Sequence, residues 1–153
     1  MSQPGGGSSG SAQRNRMQIQ REINALERND LVDARSRLQT IEGQIEDLET
    51  AKTNLERLIR DHEQMETRVR TVHESTRETR FAGSRRRRVE GYLRDAGDRM
   101  QTQRSGHEEN SGFITTEITR LTGVKATVNN EIAGILATIE ALRIEQLTAP
   151  AGI

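Results

Sequence analysis

Cysteine and tryptophan are absent, and the aromatic residues are two phenylalanines and one tyrosine. Without cysteine there are no disulfides and no thiol chemistry. Proline occurs only at Pro4 and Pro150, so the whole interior is free of the residue that breaks helices most strongly. Hydrophobic residues make up 31% of the chain, against the roughly 45–50% apolar content of ordinary globular domains, which excludes a thick core. No stretch approaches the roughly 18 consecutive apolar residues of a membrane span. The leading MSQPGGGSSGSAQ has no apolar centre of the kind a signal peptide carries. These absences predict a cytoplasmic protein, with secretion left open by a route that reads folded helices instead of a signal peptide. Basic and acidic residues are equal at 23 each, so no global field directs the chain to nucleic acid or to a lipid surface.

What is present is Glu, Gln, Arg, Leu and Ala, all good helix formers. A composition this polar leaves either disorder or long helices that share a narrow apolar seam. The proline-free interior favours helices. Residues 1–14 are Gly- and Ser-rich and read as a disordered tail. A first helix is expected from near Asn15 to about Thr76. Its apolar positions are Ile19, Ile23, Leu26, Leu31, Leu38, Ile41, Ile45, Leu48, Leu55, Leu58, Met65, Val69 and Val72, with Ala34 and Ala51 filling gaps. From Leu38 the steps are mostly three and four, one face of a helix. The step from Leu26 to Leu31 is out of phase, and a kink or short break is expected near residue 30.

The segment 78–84 reads as the tip of a hairpin. Gly83 can take the positive φ that ends a helix, and Ser84 can cap the next one. Phe81 is placed to pin the two helix ends together. A second helix is then expected from about Arg85 to Leu147, with a clean stripe at Ile114, Ile118, Leu121, Val128, Ile132, Ile135, Ile139 and Leu142. Gly91, Gly97, Gly106 and Gly112 each weaken its first half by roughly 1 kcal/mol relative to Ala. Ser105-Gly106 and Ser111-Gly112 are the expected fraying points. A turn near residue 82 sets Ile19 and Ile23 opposite Leu142 and Ile139. The fold class is therefore all-α, an elongated antiparallel hairpin over 15–147, with a frayed tail at 148–153.

The second helix carries another row. Gly112, Thr116, Thr119, Gly123, Ala126, Asn130, Gly134, Ala137 and Ala141 step by four and three, and at 100° per residue they lie opposite the Ile/Leu stripe. Gly and Thr are poor helix formers. Their regular spacing points to a surface that lets another helix approach, from a second copy or a partner, in a four-helix arrangement; the alternative is a plain solvated face.

Candidate chemistry is sparse. The chain has no P-loop, GxGxxG or GxSxG motif, and His107-Glu108-Glu109 does not continue into HExxH. No catalytic, cofactor-binding or metal-ligating set is assigned, and an enzyme is not expected. Of His62, His73 and His107, the first and last fall on the seam side, where a histidine usually acts as a polar interruption. Arg85, Arg86, Arg87 and Arg88 make the tip basic, while residues 41–66 hold eight acids against three bases. Four arginines in one turn could grip an acidic partner or phosphates. The aromatics that nucleic-acid binding would interleave are missing except for Tyr92.

Helix, Phe81-Ala82-Gly83 and second helix together resemble the WXG-motif (ESAT-like) small proteins of type VII secretion, with Phe81 where that family has Trp. The layout is most similar to the YwqH-like group that accompanies LXG-domain toxins, in which the second arm ends in repeated I-x-x-x-I-x-x-L steps, here Ile114 to Leu142. The family's YxxxD/E export signal has its nearest counterpart at Phe113–Glu117, inside the second helix. The resemblance implies a non-enzymatic helper, chaperone-like, that pairs with the helical domain of a larger secreted protein. A structural coiled-coil scaffold and an arginine-tipped nucleic-acid binder are the alternatives.

Overall fold

The computed structural model describes residues 14–78 and 83–151. The fold is all-α among these residues. Helix α1 spans Arg16–Ala25, a single π-helical turn covers Leu26–Asp30, α2 runs Leu31–Glu78 and α3 runs Ser84–Thr148. The chain thus forms two long helical arms, packed antiparallel as a hairpin. Cross-arm partners show the direction, since Glu27 meets Arg143 and Arg37 meets Glu131 at one end of the numbering, while Glu66 meets Arg104 further along. Residues 1–13 of the expected disordered tail, Phe81 and Ala82 lie outside the described residues, whereas Arg14, counted with that tail, is described and bonds Glu145.

Asn15 starts α1. Its Oδ1 accepts from the Gln18 N–H at 2.9 Å, and its own N–H donates to the Gln18 side chain at 3.0 Å. This reciprocal capping box satisfies two amides that a helix start would otherwise leave open. The expected break near residue 30 is the π turn, closed by donation from the Leu31 N–H to the Leu26 carbonyl. The chain stays helical there, and the turn absorbs the five-residue step in the apolar pattern.

Beyond the π turn both arms follow a seven-residue repeat. On α2 the covered positions include Leu31, Ala34, Leu38, Ile41, Ile45, Leu48 and Leu55; on α3 they include Ile114, Ile118, Leu121, Val128, Ile132, Ile135, Ile139 and Leu142. A sustained three-four spacing is the pattern of a coiled-coil seam. Helix α3 is continuous through Ser105-Gly106 and Ser111-Gly112, where fraying was expected. Its packed stripe runs through this stretch at Arg104, His107, Ser111 and Ile114, and packing on α2 outweighs the local propensity cost.

Two compact units divide the chain. The first comprises residues up to Ile41 together with those from Val124. Its core holds Ile19, Ile23, Ile139, Leu142 and Ala149, with Leu26 and Ile135 packed against it, as the facing of Ile19 and Ile23 with Ile139 and Leu142 requires. Polar clasps close its end. The Arg16 N–H donates to the Pro150 carbonyl at 3.1 Å and its Nε to the Ala149 carbonyl at 2.9 Å. Arg14 meets Glu145 at 2.9 Å. The tail expected to fray from residue 148 is therefore pinned at Ala149 and Pro150. The proline ends the helix but leaves its carbonyl to accept from the other arm.

The second unit is Glu42–Gly123. Its seam on α2 continues through Leu55, Ile59, His62, Glu66, Val69, His73 and Thr76, all half-buried. This corrects the expected stripe. Leu58, Met65 and Val72 are 41%, 47% and 51% exposed, one step beside the seam. Polar residues at repeat positions hid the phase, and the apolar neighbours offered a false one. Among its described residues only Leu121 is buried. Gly83 has φ of +80°, the left-handed value expected at the tip. It precedes the first residue of α3, Ser84, so Ser84 is the first helical residue and not the cap.

Candidate functional site

The row of small residues on α3 is exposed at every position. Gly112, Thr116, Thr119 and Gly123 belong to the second unit, and Ala126, Asn130, Gly134, Ala137 and Ala141 to the first. A β-carbon built on Gly112, Gly123 or Gly134 would meet no atom within 4 Å. The glycines are therefore not required by packing within the chain. The hydroxyl of Thr116 donates to the Gly112 carbonyl at 3.1 Å and that of Thr119 to the Thr115 carbonyl at 3.0 Å. Threonines that bond back onto their own helix turn less polarity outward. Ile144, three residues beyond Ala141, is 59% exposed and extends the row with an apolar side chain. The result is a smooth helix face of low desolvation cost, on which a second helix can come close.

The arginine run opens α3. Arg85, Arg87 and Arg88 are exposed, while Arg86 is half-buried. Arg86 Nε donates to Glu90 at 3.1 Å. The first turn of α3 contains no acidic residue. Cations at a helix N-terminus oppose the macrodipole, so this clustering is not explained by helix stability.

Within the second unit the seam carries a polar cluster. Arg104 of α3 donates to Glu66 of α2 at 2.9 Å and to Glu108 at 3.0 Å. The bond to Glu66, then that to Glu108, holds the guanidinium pKa above its ordinary value. His62 and His107 face each other across the arms with ring centroids 5.2 Å apart and planes inclined at 37°. Both lie on the seam, as expected, and so does His73, which lines a shallow groove with Val69, Leu93 and Gly97. No group of three or more His, Cys, Asp or Glu converges for a metal among the described residues.

Phe113 of the export-signal counterpart is 63% exposed, and Glu117 bonds Arg120. That hydrogen bond holds the Glu117 carboxyl below the usual carboxylate range and raises Arg120. The pair is a local i,i+3 contact of the kind that decorates helix surfaces. Sequence reasoning missed the Glu66–Arg104 bridge. Its signal was present, because Glu66 and Arg104 occupy repeat positions where apolar residues belong. No helix of the described residues is long and apolar enough to cross a membrane. No family model matches the chain, and comparisons with curated proteins and with solved structures gave no match.

Proposed function

We propose that this chain is a non-enzymatic helical partner protein of a type VII secretion-associated system, which pairs with the helical domain of a larger LXG-like substrate and targets it for export. The carrying observation is the exposed row from Gly112 to Ala141, where glycines have open space and threonine hydroxyls are internally satisfied. Small side chains shorten the distance at which two helices pack. A hairpin that accepts a second hairpin on this face makes a four-helix arrangement, and burial along the row supplies affinity. The helix–turn–helix layout around Gly83 agrees with the WXG-like resemblance.

The test is co-purification from the native host, comparing the natural chain with a Gly123→Leu, Gly134→Leu double variant. The expected result is a complex with a larger helical protein that the double variant loses while keeping its helical circular dichroism. Assembly unchanged by the two leucines would overturn the role of the face. A homodimer with no other interactor would favour the scaffold reading. The acid-free first turn of α3 favours one further reading, an anion-gripping arginine tip. Salt-dependent nucleic-acid binding that disappears on changing Arg85–Arg88 to Gln is its signature.

A further inference from the structure

The His62–His107 pair is an unusual way to fill a coiled-coil seam. A neutral imidazole carries one donor and one acceptor nitrogen. The Nδ1 of His62 is buried and has no hydrogen-bond partner. A buried polar atom left unsatisfied is destabilising, and Leu at the same position would avoid that cost. A polar seam residue that only sets register can do so with a partner that satisfies it, and Glu66–Arg104 beside this pair is such a contact.

From this we infer that His62 and His107 form a binding site for an imidazole-seeking divalent transition ion, of the Cu2+, Ni2+ or Zn2+ class, which clips α2 to α3 in the second unit. The spacing fits. Two imidazoles on one tetrahedral ion, at metal–nitrogen distances of about 2.0–2.1 Å, place their ring centroids about 5 Å apart. The observed separation is 5.2 Å, so side-chain rotation brings the nitrogens together with the helix backbones left in place. The charges facing the pair also permit a cation. Glu66 and Arg104 stand one helical turn along the seam from His62 and His107, and Arg104 bonds both Glu66 and Glu108, so these three groups together carry a net negative charge. With no third His, Cys, Asp or Glu converging among the described residues, water completes the coordination. Such a site selects borderline ions over Mg2+ and Ca2+, which want oxygen ligands, and follows the order that puts Cu2+ tightest. Its affinity is that of a two-ligand site, well below a closed structural zinc centre.

Titration calorimetry of the full chain with Ni2+, Cu2+ and Zn2+, after removal of any histidine tag, tests the site. The expected result is one ion per chain, binding that weakens by roughly tenfold or more in His62→Leu and in His107→Leu, and unchanged binding in His73→Leu, the only other histidine. The ion should raise the melting temperature of the natural chain and leave that of the two leucine variants unmoved. Leucine suits the seam, so these variants keep their helical circular dichroism, and loss of binding then reports the ligand and not the fold. Absence of saturable binding would overturn the inference. So would binding that survives the double leucine variant, depends on His73, or occurs at one ion per two chains with dimerisation in sedimentation.

Discussion

Residues of the same type contribute very differently according to their place beside the seam. Ile19 is fully buried against Ile23, Ile139 and Leu142, so truncating it removes apolar contact and leaves a cavity lined by branched side chains. Ile19→Ala is expected to lower the unfolding free energy by about 2–5 kcal/mol. Met65 is 47% exposed and lies beside the repeat. Met65→Ala is expected to change stability by about 0.5 kcal/mol or less. Urea unfolding followed by circular dichroism distinguishes the two. Comparable losses for both would mean that Met65 sits on the seam after all and that the half-buried positions His62 and Glu66 do not.

At the scale of the element, the π turn is the point where pattern and backbone are reconciled. The repeat runs through Ile19, Ile23 and Leu26, then resumes at Leu31 and Ala34, one residue late. The widened turn over Leu26–Asp30 takes up that residue and returns the stripe to the same side. Deleting Asn29 should let an ordinary α-helix run through with every seam residue in phase, so thermal melts are expected to show equal or higher stability. Deleting Glu56 shifts Ile59 through Thr76 off the seam, breaks the Glu66–Arg104 bridge, and is expected to lower the melting temperature clearly. Equal effects of the two deletions would refute the phase argument. The out-of-phase step was visible in the sequence, and so was the apolar half of α3, because Ile, Leu and Val hold its seam positions from Ile114 to Leu142 except at Lys125. On the seam of α2 from Ile59 onward, only His62 and Val69 were read correctly from the sequence. Helical periodicity is read from hydrophobicity, and a seam occupied by His62, Glu66, His73 and Thr76 carries none. The continuity of α3 past Gly106 and Gly112 was hidden for the opposite reason, since local propensity speaks against a helix that tertiary packing sustains.

For the molecule as a whole, the distribution of burial decides how it opens. The first unit buries Ile19, Ile23, Leu31, Ala34, Ile41, Val128, Ile139, Leu142 and Ala149. The second holds its arms together with half-buried side chains and with the Arg104–Glu66–Glu108 network, and a polar bridge that is part-exposed to water contributes modestly. Local opening is governed by how much apolar contact must be broken. Amide exchange is therefore expected to be slowest at Ile23, Leu31, Ile139 and Leu142, and faster by orders of magnitude around His62, Glu66, Arg104 and His107. A polar seam weak by itself is also where a bound ion or a partner helix has most to add, because whatever binds only the closed form stabilises it by mass action. Exchange at His62–Val69 should then slow on adding Ni2+ in the natural chain and not in His107→Leu, while exchange at Ile23 and Ile139 stays as it was. Uniform protection along α3 in the free chain would contradict this, since it would mean that the polar seam closes as firmly as the apolar one and leaves neither ion nor partner anything to stabilise.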